Sequence, residues 1–428
     1  MNELEKLFAR KKTENGDEAY STTGNNLLDL FFMSAFFEKH LDSVHIGNST
    51  KEQIFSAFMR DPRLGMGRRD LGRELMKQSK LDYRLIPACG RYDDILYANR
   101  SEEAVRYLIE NCKNGNELAK KWMPRLNGRT KEMARAICKM LNISEKEYRG
   151  IIKCDTTESK LSTHRTNEIK FEHVPSLAMI KYYKRFAIGD DTAKRFKGYL
   201  LKVKKGEKKL NVSTTNVYDI YRNRNRINAD LFFNKLEKIE ISCIPILDTS
   251  CSMYNNNDSI GKASSIAHYL AKSSSYCNGN VISFSSNPKL IKIKGKDYDE
   301  EIKSMYTGDC SNTNFRRVMN ILKGLEKFPD YLVVLSDMEF DYGSCQSKNK
   351  LKEIWKANNC NTKIIWWNFN SRNTTCPEID SEGNVFISGY NPMLLKYLES
   401  GFDGEKFLNR LLEEYRDKFF EKYLGQSK

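Results

Sequence analysis

Five oxygen-bearing side chains in the C-terminal half of the chain have the types and spacing to hold a hard metal ion. Three come from Ile244-Pro245-Ile246-Leu247-Asp248-Thr249-Ser250-Cys251-Ser252, an apolar run that ends in an aspartate and two alternating serines. A strand carries side chains with period two, so Asp248, Ser250 and Ser252 are expected to point the same way where the strand opens into a loop. Two more donors lie downstream. Thr313 sits in the polar stretch Gly308-Asp309-Cys310-Ser311-Asn312-Thr313-Asn314, and Asp337 ends the apolar run Tyr331-Leu332-Val333-Val334-Leu335-Ser336-Asp337. Carboxylate and hydroxyl oxygens suit Mg²⁺ or a similar divalent cation, which commonly keeps an open position. The carboxyl ends of strands are where open α/β sheets bind ligands.

An aspartate after a buried strand has a second chemistry, the nucleophile of a haloacid-dehalogenase-type phosphatase. That reaction needs an acid two residues later to protonate the leaving group, and this position is Ser250. The chain is therefore read as a non-enzyme. Glu339 and Asp341 read as supporting groups beside Asp337, not as ligands. His40, His45, His164, His173 and His268 show no zinc or nucleophile spacing and read as structural or exposed.

The set Asp-x-Ser-x-Ser, then Thr, then Asp resembles the metal-ion-dependent adhesion site of von Willebrand factor A domains. The resemblance implies that the open metal position takes an acidic residue of a partner protein. The elements fit. Residues 241–248 predict a buried strand, Asp258 to Tyr276 a helix, and Val281–Phe284 with Leu290–Ile293 a hairpin around Ser286-Asn287-Pro288. Helices are expected at Asn314 to Lys327, Ser347 to Ala357 and Glu405 to about Leu424. The last has Phe407, Leu411, Tyr415 and Phe419 on one core-packing stripe. Strands are expected at 331–336, Ile364–Trp367 and Val385–Ser388. This alternation predicts a doubly wound, mostly parallel α/β domain over 241–428.

Residues 1–240 read as a basic α-helical, repeat-like array, so the fold class is α plus α/β. Ser101 caps a helix bearing Val105, Leu108 and Ile109. Lys131 to Leu141 shows Met133, Ala136, Ile137 and Met140, and Ser144 starts another helix. Charge is uneven. The chain carries a net charge of +15. About 47 Lys and Arg face about 33 Asp and Glu over 1–240, roughly +14, against roughly +1 for the remainder. A basic half is the electrostatic footprint of a protein that meets RNA or DNA.

Two basic stretches stand out. Arg60, Arg63, Arg68, Arg69 and Arg73 surround Gly65-Met66-Gly67, which reads as a turn between helices, and arginines there suit bidentate phosphate contacts. Lys194, Arg195, Lys197, Lys202, Lys204, Lys205, Lys208 and Lys209 form the second, with Phe196 and Tyr199 interleaved to stack on exposed bases.

Three strings carry a family resemblance. Arg60-Asp61-Pro62-Arg63-Leu64-Gly65-Met66-Gly67-Arg68-Arg69-Asp70 resembles the Arg-Asp…Gly-Lys-Gly-Glu-Arg-Asp stretch of the DUF2828 family. Gly90-Arg91-Tyr92-Asp93-Asp94-Ile95-Leu96 resembles its Gly-Tyr/Arg-Tyr/Trp-Asp-Asp-Leu element. Leu335-Ser336-Asp337-Met338-Glu339-Phe340-Asp341 is close to its Phe-Ser-Asp-Met-Glu-Phe-Asp signature. Such proteins are similar in layout to the Ro (TROVE) ribonucleoproteins, a helical-repeat array followed by an A domain, which implies RNA binding, structured or single-stranded. The chain departs from the pattern at Asn314, where the family commonly has Asp, and at Cys251, where a small Gly often stands. Period-two alternation directs the Cys251 thiol away from the metal oxygens.

The sequence holds 11 cysteines without C-x-x-C spacing. With no signal-peptide pattern and no apolar stretch near the ~20 residues of a membrane span, it reads as intracellular and cytoplasmic. The alternative function is a protein-assembly scaffold that uses the metal site without RNA.

Overall fold

A computed structural model describes residues 10–12, 18–20, 23–34, 44–254, 257–311, 315–337, 361–369, 378–379, 383–391, 393–398 and 401–424. The chain divides into two compact units, each built from separate stretches of sequence. One comprises Met1–Phe36, Pro175–Arg185 and Lys202–Phe407. The other comprises Phe37–Val174, Phe186–Leu201 and Leu408–Lys428. The units are thus interleaved along the chain, where the sequence reading draws one boundary at 240.

The first unit holds the sheets. Strands β1 (Arg10–Lys12) and β2 (Glu18–Tyr20) pair antiparallel as a hairpin that the sequence reading did not foresee. The main sheet contains β3 (Cys243–Asp248), β4 (Asn280–Phe284), β5 (Lys289–Lys292), β6 (Tyr331–Ser336), β7 (Lys363–Asn368), β8 (Glu378–Ile379) and β9 (Val385–Ser388). Its order is β5-β4-β3-β6-β7-β9-β8. β4, β3, β6, β7 and β9 run parallel, while β5 and β8 close the two edges antiparallel. The chain winds out from β3 to β5, then returns to β6 and winds the other way, which makes the sheet doubly wound. β3 is buried at every residue, as a central parallel strand must be.

Helix Ser259–Ser273 packs on β3, β4 and β6. Its small residues Gly261, Ala263, Ser264 and Ala267 let it lie close to the sheet. Helix Phe315–Lys323 packs against β4 and β5. The helix expected over Ser347 to Ala357 lies outside the described residues. In this unit Phe31 and Tyr397 meet Phe407, at centroid distances of 5.8 and 5.1 Å.

The second unit is helical. Local capping sets its helix starts. The Ser101 hydroxyl accepts from the Ala104 amide at helix Glu102–Lys113, and Ser144 accepts from Glu147 at helix Glu145–Ile151. Helix Thr50–Arg60 carries a full capping box between Ser49 and Glu52. It crosses helix Arg69–Gln78 at Gly72, where a Cβ would stand 2.7 Å from the Arg60 Cα. In helix Lys131–Met140 the buried face is Ala134, Ile137 and Cys138. The expected stripe of Met133, Ala136, Ile137 and Met140 is corrected: Ala136 and Met140 are exposed, because a turn of 3.6 residues places 134, 137 and 138 together. The end of helix Gly404–Leu424 belongs here, with Tyr415 against Phe58 at 5.5 Å.

Candidate metal site and basic surface

The metal-type residues gather where the winding of the sheet reverses, between the carboxyl ends of β3 and β6. Leu247 pairs with Leu335, so Asp248 and the Ser336–Asp337 step leave the sheet side by side. Asp248 and Asp337 are both fully buried. Asp248 Oδ1 accepts the Ser250 amide at 2.9 Å, and Oδ2 accepts the Ser336 hydroxyl at 2.5 Å. Ser250 Oγ lies 3.1 Å from Ser252 Oγ. Burial first, and then the neighbouring Asp337 charge, push the Asp248 carboxyl up to about 7, against the hydrogen bonds from Ser336 and Ser250.

The hydroxyls converge by a different device from strand alternation. β3 ends at Asp248, and Cys251–Tyr254 forms a 3-10 turn that folds Ser252 back toward Ser250. Cys251 is exposed at this turn, away from the buried oxygens. Thr313, Glu339 and Asp341 lie outside the described residues.

Asp309, which the sequence reading passed over, fixes the loop that leads to Thr313. Its Oδ2 accepts the hydroxyls of Ser285 at 2.9 Å and Ser286 at 3.2 Å. Its Oδ1 accepts the Ser311 amide at 3.0 Å and the Ser311 hydroxyl. The Ser311 hydroxyl and amide, with Ser285, hold this carboxyl well below the usual range. The same loop is tied to the β3 turn: the Cys251 amide donates to the Cys310 carbonyl at 3.0 Å, and the Thr249 hydroxyl to the Asp309 carbonyl at 3.2 Å. An Asx-type aspartate two residues before a serine was the available signal.

Two buried carboxylates beside two converging hydroxyls form an all-oxygen donor set that fits a hard divalent cation such as Mg²⁺. Asp248, Ser250, Ser252 and Asp337 would hold it. Bound there, it would supply a Lewis-acidic position for an incoming carboxylate. Among the described residues there is no group of three or more His, Cys, Asp and Glu that could hold a metal ion.

The arginine stretch turns inward. Arg60 and Arg73 are buried, and both grip Asp94, at 2.6 and 2.5 Å. Arg73 also holds Asp93 at 2.8 Å and lies over the Tyr97 ring at 3.8 Å. The Arg91 amide completes the set, donating to Asp94 at 2.7 Å. Arg60 and Arg73 are therefore corrected from phosphate contacts to internal ion pairs, since a buried carboxylate left alone would be costly. Arg63 donates to the Ala88 carbonyl at 2.5 Å while its side chain stays 40% exposed. Arg69 is exposed beside Asp70, and Arg68 is half-buried.

The lysine stretch turns outward. Lys194, Lys197, Lys202 and Lys204 on helix Asp190–Lys204 are exposed, as are Lys205, Lys208 and Lys209 in the following turn. Arg195 is the exception and is corrected: its guanidinium donates to the Thr166 and Ile169 carbonyls at 3.0 and 2.9 Å. The stacking role read for Phe196 and Tyr199 is also corrected. Both are buried with Phe171, and Phe196 and Tyr199 stand 5.0 and 5.7 Å from its ring. Apolar rings on the inner face of an amphipathic helix go to the core before they go to a ligand.

Together these features define a helical part joined to an A-type α/β domain with an oxygen-rich site at its switch point. Residues 119–217 match the family model described as "Domain of unknown function (DUF2828)". Residues 242–419, which hold the main sheet, match another, "Domain of unknown function (DUF7788)". A curated relative, "Uncharacterized protein L728" of Acanthamoeba polyphaga mimivirus, is 21% identical over 94% of this chain and 87% of its own length. The crystal structure of the Deinococcus radiodurans RO (RSR) protein aligns with a TM-score of 0.46 at 11% identity, covering 88% of this chain and 99% of that one. Among the described residues no helix is long and apolar enough to cross a membrane.

Proposed function

We propose that this protein binds RNA through its lysine-rich helix end and turn, and that its A domain holds Mg²⁺ for docking a partner protein by an acidic residue. The observation that supports RNA binding best is the exposure of every lysine in the 194–209 stretch, on a chain of net charge +15. Exposed lysines release counterions from a phosphate backbone without disturbing a core. On this reading recognition is mainly electrostatic, because Phe196 and Tyr199 are spent on packing.

The test is a binding titration with single-stranded and hairpin RNA at several salt concentrations. The affinity should fall steeply with salt. Triple reversal at Lys202, Lys204 and Lys205 to Glu should weaken it and lower the salt slope by about one unit for each phosphate no longer neutralised. Binding that ignores salt, or ignores the triple variant, would sink the proposal.

A second reading, a protein-assembly scaffold without RNA, is favoured by the carboxylates buried at the switch point, which serve a metal-bridged partner equally well. On both readings the chain binds and does not catalyse. Ser250 stands where a phosphatase needs its acid, and it engages Ser252. The cytoplasm of a cell, including a virus-infected one, is the proposed location, with no membrane partner.

A further inference from the structure

We propose that Cys251 and Cys310 are an oxidation site, a thiol pair that closes into a reversible disulfide across the mouth of the oxygen-rich site. Among the described cysteines Cys251 is exposed, Cys154 and Cys310 are half-buried, and the other five are buried. Cys251 and Cys310 come from different loops, yet their backbones are joined by the 3.0 Å bond from the Cys251 amide to the Cys310 carbonyl. A backbone bond of that kind keeps two Cα atoms roughly 5–6 Å apart, within the roughly 4.4–6.8 Å that a disulfide spans. Both loops are held at this spacing from outside, by Asp309 on one side and by Asp248 with the Ser250 amide on the other. The backbone spacing is therefore compatible with a disulfide.

Tyr254 closes the group. Its phenol, half-exposed at the end of the same 3-10 turn, lies within electrostatic reach of both the Cys310 and the Cys251 thiols. Two thiols and a phenol thus share one rim of the site, outside the buried oxygens.

The chemistry needs a peroxide as oxidant. The exposed Cys251 sulfur attacks the O–O bond, gains one oxygen as sulfenic acid and releases one water. The Cys310 sulfur then displaces that hydroxyl as a second water and forms the S–S bond. Two thiols are oxidised by two electrons, and one peroxide is reduced to two waters. A dithiol reductant reverses the change, as expected for a disulfide in a reducing compartment, where such bonds are transient and redox-sensing. The bond would tie the β3 turn covalently to the loop that leads to Thr313. Its formation does not depend on the metal reading; its effect on metal binding does.

The experiment treats the purified full-length protein with hydrogen peroxide, blocks remaining thiols, and maps peptides without reduction. The expected product is a Cys251–Cys310 cross-linked peptide that dithiothreitol removes, and that is absent in Cys251→Ser and in Cys310→Ser. Sulfinic acid at Cys251 with Cys310 still alkylatable, or pairing of Cys251 with Cys345, Cys360 or Cys376, overturns the proposal. If either variant fails to fold, the wild-type map decides alone. In parallel, the melting temperature is read with and without Mg²⁺ in both redox forms. A Mg²⁺-dependent rise that is smaller in the oxidised form ties the bond to the site, and equal rises overturn that tie. No rise in either form refutes the metal reading alone, because the peptide map reads the disulfide without metal.

Discussion

The Ser336 hydroxyl donates to Asp248 Oδ2 at 2.5 Å, joining the carboxyl ends of two neighbouring parallel strands at the point where the sheet changes winding direction. Asp248 reaches its position because it ends an apolar strand, and it keeps its orientation because Ser336 and the Ser250 amide each hold one oxygen. The aspartate alone does not make the site. The adjacent strand orients it.

Removal of Ser336 should therefore act through Asp248. Ser336→Ala leaves a buried carboxylate oxygen short of a donor, at about 1–3 kcal/mol of stability. Metal affinity should drop by about 10–100-fold, as for other groups that orient a ligand. Calorimetric titration with Mg²⁺ and urea denaturation read the two effects separately. Unchanged affinity would mean that Asp248 does not take a metal.

Asp248→Ala is the direct case. If Mg²⁺ binds only the folded state, a concentration 100 times the dissociation constant stabilises by about 2.7 kcal/mol. The wild type should show this as a rise in melting temperature, and Asp248→Ala should show none. Without metal, the relief of a desolvated carboxyl beside Asp337 is set against the loss of the bonds from Ser336 and the Ser250 amide, so the comparison is made on the Mg²⁺-dependent rise and not on the metal-free melting temperature.

What the sequence discloses here follows the range of the interactions. β3, the β4–β5 hairpin and the caps at Ser101 and Ser144 depend on neighbours a few positions away, and each is visible in the residue pattern. The fate of Arg60 and Arg73 depends on Asp94, a partner distant in sequence, so a run that reads as a phosphate patch folds into an internal ion cluster. The role of Asp309 is hidden in the residue pattern for a related reason: it holds two loops at once. The lysines from Lys194 to Lys209 stay exposed, as a polar helix face and its following turn predict.

That ion cluster makes a prediction that separates structure from binding. Arg73→Ala strips Asp93 and Asp94 of a shared partner and should cost about 3–5 kcal/mol, read by chemical denaturation. Arg69→Ala, at an exposed site, should change stability by less than about 0.5 kcal/mol. If both cost the same, the buried pairs are not what joins the Arg60–Asp70 and Gly90–Asp94 strings.

The last prediction concerns pH. His268 is fully buried between Phe233 and Tyr298, with ring centroids 4.7 Å from each. Its Nε2 stands 2.8 Å from Glu301 Oε2, while Nδ1 has no hydrogen-bond partner. A carboxylate can only accept, so Nε2 carries the proton and Nδ1 stays bare. Burial lowers the His268 pKa below 6.5, and this outweighs the opposing pull of Glu301. The unfolded chain therefore binds a proton near pH 6.5 that the folded chain refuses, and stability falls as pH drops through that value. Glu301 works in the same direction further down. Burial raises its carboxyl, but the hydrogen bonds from His268 and Lys272 win and leave it below 4.5, so its contribution is lost under more acid conditions. Urea denaturation between pH 7.5 and 5 should show a decline of at most about 1.4 kcal/mol per pH unit from the histidine. His268→Gln, which keeps a donor to Glu301 and cannot take a proton, should flatten the decline between pH 6.5 and 5. A variant that declines as the wild type does would place the acid sensitivity elsewhere in the fold.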